Sequence, residues 1–304
     1  MNEQEHPPAV VVGVDETPAA RAALDWAADA AERRGVQLRI VHGLGTPAVM
    51  ATYAGSESYV VLEEHREYAH TLLTDSAAHV HSTRPDLRVT TVLAPEAAPA
   101  ALLGEACHGD IIVVGSRGLG GVRAIMLGSV SARTSSAAPC PVVVVPEAGR
   151  PGGRKGRIVV GVDGSESSRR ALRFGLQEAL VDGSSVTVVN SWETPSSQDT
   201  EPHEGDEQTF HEDVFDRHSE EIVAGVLAEV VDDETEQLDI SAVRMRNHPV
   251  EALLKAGEDA DLLVVGSRGR GGIRGLVMGS VSQGVLHHAR LPVAVLPPHS
   301  EEAE

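Results

Sequence analysis

Two stretches of this chain combine flexible backbone, small hydroxyls and a cation in a fixed spacing. Gly115-Ser116-Arg117-Gly118 is followed, after nine residues, by Gly128-Ser129; Gly266-Ser267-Arg268-Gly269 is followed, after nine residues, by Gly279-Ser280. Glycine has no Cβ, so backbone can approach a ligand closely and turn through positive φ. Consecutive turn amides form an anion-binding nest. A helix opening after Gly128 or Gly279 presents free N–H groups and the positive end of its dipole, and Ser129 or Ser280 adds a hydroxyl. The chemistry this favours is phosphate binding, mostly by main chain. A lone Gly-x-x-Gly is only a turn; the long spaced pattern, present twice, carries more. Two acids complete the set. Asp15 and Asp163 follow apolar runs and either cap the next helix or reach into a cleft to hold a ribose hydroxyl or a metal.

The elements that hold these residues come in duplicate. VVVGVD at Val10–Asp15 returns as IVVGVD at Ile158–Asp163, and IIVVGSRGLGG at Ile111–Gly121 returns as LLVVGSRGRGG at Leu262–Gly272. LGSVS (Leu127–Ser131) returns as MGSVS (Met278–Ser282), and PVVVVP (Pro141–Pro146) as PVAVLP (Pro292–Pro297). The order is the same in both copies, so the chain reads as a duplicated domain. The Gly-, Pro- and base-rich run Glu147–Gly156 separates them. The expected organisation is one domain over 1–147, a linker over 148–156 and a second domain over 157–304.

Within the first copy the pattern predicts strands at Val10–Val14, Val36–His42, Leu87–Leu93, Ile111–Gly115 and Val142–Val145. Helices are predicted at Pro18–Arg34, Ser58–Thr83, Glu96–His108 and Val130–Ala137, the first with Thr17 as N-cap and proline at its first position. The second copy predicts strands at Ile158–Val162, Ser185–Asn190, Leu238–Met245, Leu262–Gly266 and Val293–Leu296. Glu193–Asp213 is acidic and reads as a solvated loop running into a helix. Near-continuous apolar strands alternating with helices indicate a parallel sheet covered on both faces. In such α/β sheets ligands bind beyond the carboxyl ends of strands where the order reverses. If the first and fourth strands are neighbours, Asp15 and Gly115 face each other across that crevice.

Composition narrows the partners. The chain has 304 residues, a formal net charge of −20 and few aromatics. That charge argues against a general nucleic-acid or anionic-membrane surface. No basic start followed by an apolar run, and no run long enough to span a bilayer, is present, so a soluble cytoplasmic protein is expected. Cys107, expected on a helix, and Cys140, expected just before a strand, have no metal-ligand spacing and read as buried or half-buried free thiols. His203, His211 and His218, like His79 and His81, lack the spacing of a zinc site.

Other phosphate-binding fingerprints fit poorly. No Gly-Lys-Ser/Thr follows the glycines, and they follow the fourth strand rather than the first. The double G-x-x-G, nine residues, G-S pattern, together with the two V-V-G-V-D strands, resembles the ATP-binding branch of the universal stress protein family, of the tandem, actinobacterial type. The resemblance covers nearly the whole chain. It implies two doubly wound α/β domains, each an adenine nucleotide alpha hydrolase-like fold with a five-stranded parallel sheet in order 3-2-1-4-5 flanked by helices. ATP, with Mg²⁺ on its phosphates, would lie across strands one and four.

Carried over by position, the resemblance puts Gly13 and Asp15 at adenine and ribose, Gly43 at the base through its backbone, and Gly115, Gly118, Gly128, Ser129 and Val130 at ribose and phosphates. The second copy offers Gly161, Asp163, Ser191, Gly266, Gly269, Gly279, Ser280 and Val281. Arg117, Arg123, Arg268 and Arg274 would supply charge. Gly43 and Ser191 differ between the copies. The apolar strands Val142–Val145 and Val293–Leu296 would pair with each other, making an internal pseudo-dimer that dimerises further.

The resemblance implies a nucleotide-dependent regulator of stress response and growth or survival, read by a protein partner, with one ATP per domain. The competing class is a weak ATPase or nucleotidyl-transfer enzyme of the same fold. Against it, no His-x-x-His or His-x-Gly-His cluster stands beside the first strands or the glycine loops, and adjacent His287-His288 face different directions on their helix. No catalytic residue and no resident metal site is expected.

Overall fold

The structure, a computed structural model, describes residues 7–45, 56–116, 127–148, 153–193, 207–269 and 278–297. Contacts divide the chain into two units, 1–153 together with 289–304, and 154–288.

The first unit runs β1 (Ala9–Gly13), α1 (Pro18–Arg34), β2 (Gln37–Gly43), α2 (Ser56–Thr83), β3 (Val89–Ala94), α3 (Ala98–Glu105), β4 (Ile111–Gly115), α4 (Ser129–Ala137) and β5 (Val142–Val145). Its strands lie in the order β3-β2-β1-β4-β5, all parallel. The chain's last strand joins this unit: β10 (Val293–Leu296) runs antiparallel to β5, with Val293 opposite Val144, Ala294 opposite Val143 and Val295 opposite Val142. The two strands expected to pair therefore do so, and Val142, Val143 and Val145 are fully buried.

The second unit runs β6 (Arg157–Gly161), α5 (Glu166–Asp182), β7 (Ser185–Trp192), α6 (Glu207–Val230), β8 (Ile240–Arg246), α7 (Pro249–Ala256), a short turn of 3-10 helix (Gly257–Asp259), β9 (Leu262–Gly266) and α8 (Ser280–His288). Its parallel strands lie in the order β9-β6-β7-β8. This is the predicted order for the first four strands of a copy. The sheet order sets β10, the fifth strand of the second copy, next to β9, as predicted, and its antiparallel bonds to β5 satisfy backbone groups that an edge would leave open.

The physical reason for these sheets is visible in burial. Val10, Val11, Val12, Ile112 and Val113 are completely buried, as are Val159, Val160, Leu263 and Val264. Strands buried on both faces need no polar alternation, and each such side chain contributes on the order of 2 kcal/mol. The crossover helices begin and end by local chemistry. Thr17 caps α1, its hydroxyl accepting from the Ala20 amide at 3.2 Å, and Ser165 caps α5 by accepting from Ser168 at 3.2 Å. Gly35 and Gly183 end these helices with φ of 66°, a left-handed conformation that glycine adopts without strain.

Two expectations are corrected. The helix predicted over Glu96–His108 is shorter, because Ala97 is extended ahead of α3 and Ala106 is extended after it. Cys107 therefore lies not on a helix but in an exposed turn, where its amide donates to Asp110 Oδ2 at 2.8 Å. The end of the expected linker is bound to the second unit: the Lys155 and Gly156 amides donate to the Asp261 carboxylate at 2.8 and 2.7 Å. Asp110 does the same for the first unit, accepting from the Ala9 amide at 2.8 Å. Both acids are buried and fasten the first strand of their copy to the turn before the fourth.

Candidate functional site

The first and fourth strands of each copy are direct neighbours, Val12 beside Val113 and Val160 beside Val264. The residues that follow them thus converge at the carboxyl end of the sheet, where the strand order reverses.

Asp163 is the first element of the site. Its Oδ1 accepts from the Ser165 amide at 2.9 Å and from the Ser165 hydroxyl at 2.6 Å. Asp15 repeats this with Thr17, whose amide donates to Oδ1 at 2.9 Å and whose hydroxyl donates to the same oxygen. The acid does not cap the helix itself. It holds the residue that does, and this fixes the carboxylate at the mouth of the crevice. Behind it, the Val162 carbonyl accepts from Asn190 Nδ2 at 2.7 Å, and the Val14 carbonyl accepts from His42 Nδ1 at 2.8 Å. Since a carbonyl only accepts, that His42 nitrogen carries the proton.

The second element is the glycine loop. At its far end the Gly279 amide donates to the Ser267 carbonyl at 2.7 Å, and the Ser282 hydroxyl donates to the same carbonyl at 3.1 Å. The first copy matches: the Gly128 amide donates to the Ser116 carbonyl at 2.9 Å, and the Ser131 hydroxyl lies 2.9 Å from the Gly128 carbonyl it donates to. The amides of Gly128 and Gly279 are therefore spent on closing the loop. The amides left for an anion are those beyond them. The first helical bond of α8 runs from Gln283 to Gly279, so the amides of Ser280, Val281 and Ser282 precede it. In α4 the first bond runs from Ala132 to Gly128, leaving Ser129, Val130 and Ser131. No side chain caps Gly128. Such a helix start favours an anion. Beside it, Arg268 Nε and Ser267 Oγ are buried without a hydrogen-bond partner.

These elements enclose a cavity of about 500 Å³ in the second unit. Nine of the ten second-copy residues singled out from the sequence line it, all but Arg274: Gly161, Asp163, Ser191, Gly266, Arg268, Gly269, Gly279, Ser280 and Val281. Its volume falls within the range of small-molecule sites. Sequence reasoning missed the apolar walls, Val162, Val189, Pro249, Leu253, Val265 and Met278, and the hydroxyls of Ser168 and Ser282. Ser282 was legible as the last letter of the repeated G-S-V-S. Pro249 and Leu253 come from α7, which the glycine pattern does not touch.

Several glycines have a second reason to be there. A Cβ on Gly115 would lie 2.7 Å from the Ala19 carbonyl carbon, and one on Gly266 would lie 2.9 Å from the Ser167 carbonyl carbon. The start of the crossover helix packs directly on the end of the fourth strand, and only glycine leaves room for it. Gly13 and Gly161 instead face side chains, Leu102 at 3.1 Å and Leu253 at 3.0 Å. Arg117, Gly118, Arg123 and Arg274 lie outside the described residues. His79, weighed as a metal ligand, bonds Arg21 and Asp25. Among the described residues no group of three His, Cys, Asp or Glu side chains gathers for a metal, and no helix is long and apolar enough to cross a membrane.

Parallel sheets wound in this order, with a cleft of backbone donors beyond the first and fourth strands, define a doubly wound α/β protein built twice. The universal stress protein family matches residues 8–146 and 155–297. The universal stress protein Rv2623 of Mycobacterium tuberculosis is 31% identical over 291 residues, covering 94% of this chain and 95% of that protein. Another from the same organism, Rv1996, is 30% identical over 313 residues, covering 97% and 96%. A crystal structure of a universal stress protein from Archaeoglobus fulgidus superposes with a TM-score of 0.64 at 19% identity, covering 96% of this chain and 97% of that one. The chain belongs to the universal stress protein family, as a tandem two-domain member of the actinobacterial type.

Proposed function

We propose that this protein binds ATP at the carboxyl end of each sheet and acts as a nucleotide-dependent regulator of stress response and growth. One observation carries the reading: nine residues chosen for nucleotide chemistry from the sequence line a single cavity of about 500 Å³. Its two ends differ in the way a nucleotide does. Val162, Val189 and Leu253 offer an apolar slot for a base, while the first-turn amides of α8 and Arg268 offer donors for phosphates. Asp163, held by Ser165, stands where a ribose hydroxyl can donate to it. Mg²⁺ would arrive on the phosphates, which need only one or two protein oxygens to hold it.

A binding role is favoured over catalysis by the cavity's lining. Among its described residues the only titratable side chains are Asp163 and Arg268, and Asp163 already accepts two bonds from Ser165. Neither is a positioned base for activating water. Nucleotide would then stabilise one conformation that a partner or a second copy reads.

Mass analysis of small molecules released from the purified, denatured protein tests this. The expected result is ATP, restored on dialysis of stripped protein against it, with no turnover above that of a site-blocked variant. Protein that carries no nucleotide and takes up none would overturn the reading.

A further inference from the structure

The two copies treat the base end of the cleft differently. In the second, β7 continues past the cleft as regular parallel strand: Ser191 pairs with Met245, Trp192 with Arg246, and the Asn247 amide donates to the Trp192 carbonyl at 3.1 Å. Ser191 and Pro249, the first residue of α7, line the same cavity, so space remains between strand and helix.

In the first copy that space is taken up by main chain. Strand β2 stops at Gly43, and the chain folds inward: the Leu44 amide donates to the Ala94 carbonyl at 2.9 Å, and the Gly45 amide donates to the Glu96 carbonyl at 3.0 Å. Leu44 forms an antiparallel bridge with Ala97. A Cβ on Gly43 would stand 2.7 Å from the Glu96 oxygen and from the Ala98 nitrogen. Gly43 holds the register position of Ser191, and Ala98 opens α3 as Pro249 opens α7. The side-chain volume that Ser191 lends to the cavity is thus barred in the first copy by the backbone of α3's entry. Counting from Asp15 and Asp163, the first copy also has Ala20 where Ser168 lends the second a cavity-lining hydroxyl.

We infer that the two nucleotide sites are unequal: the second-copy cavity is the tight site, and the first-copy cleft, closed toward the base by Glu96–Ala98, holds nucleotide more weakly. This rests on the nucleotide reading above. Its consequence is regulatory, since a tight site stays filled over concentrations across which the weak one empties.

The test uses a matched pair of charge insertions. Ser129 and Ser280 are the exposed first residues of α4 and α8. An aspartate at a helix's first position suits the dipole, so Ser129→Asp and Ser280→Asp leave the fold intact while repelling phosphates. Full-length protein, stripped of nucleotide, is titrated with ATP and read by native mass spectrometry. The wild type should load its first equivalent at least about tenfold more tightly than its second, a gap of about 1.4 kcal/mol. Ser280→Asp should abolish the tight equivalent, and Ser129→Asp only the weak one. Two equivalents of equal affinity, or loss of the tight one in Ser129→Asp, overturn the inference while leaving ATP binding in place. No uptake by the wild type overturns both.

Discussion

Gly269 and Asp163 are in contact at the mouth of the second cavity: a Cβ on Gly269 would meet Asp163 Oδ2 at 2.5 Å. The glycine loop therefore lies against the acid that follows the first strand. Gly269→Ala pushes the carboxylate, a movable group, rather than backbone. The expected result is a fall in ATP affinity at the second site of about tenfold, with a melting temperature within about 2 °C of wild type. Isothermal titration and thermal unfolding of ligand-free protein check both halves.

Gly115 behaves differently. Its missing Cβ makes room for the backbone of Ala19 and Ala20, at 2.7–2.9 Å, and backbone cannot step aside as a side chain does. Gly115→Ala should destabilise the ligand-free protein by about 2 kcal/mol, or roughly 4–8 °C in melting temperature. A variant that melts like wild type and merely fails to bind nucleotide would contradict the packing role.

The thiols separate by burial. Burial, reinforced by the charge of Asp110, pushes the Cys140 thiol from its ordinary 9.0 up to about 12, while Cys107 is exposed. Native protein should therefore consume one equivalent of a maleimide quickly and the second only on unfolding. The unfolded thiol ionises near pH 9 while the folded one keeps its proton. The contribution is thus complete below pH 9 and is lost as pH rises from 9 toward 12. The loss runs at up to about 1.4 kcal/mol per pH unit. Cys140→Ala should flatten that alkaline decline in denaturant titrations; an unchanged slope would assign it elsewhere.

Much of this was legible in one sequence because the duplication states it twice. VVVG, IIVVG and VVVV can only be strands buried on both faces, and Thr17-Pro18 and Gly35 mark a helix's ends by local chemistry that tertiary contacts do not override. The glycines were harder. Gly43, Gly115 and Gly266 read as openings for a ligand, and the structure gives each a neighbouring backbone as well, which no single chain can reveal without knowing what packs across it. Cys107 was misplaced on a helix because Ala100–Ala106 looks helical by propensity, whereas Asp110, far from it in type but near in turn, captures its amide. The apolar walls from α7 were invisible for the same reason: Pro249 and Leu253 reach the site through topology rather than motif.

The most direct test of the central claim is photolabelling of the full-length protein with an azido-ATP, followed by peptide mapping. The base is expected between β7 and α7, so label should appear in peptides carrying Val189–Ser191 or Pro249–Leu253 and vanish when unmodified ATP is present. Label that spares these peptides, or that excess ATP does not displace from them, would contradict a nucleotide site in this cavity.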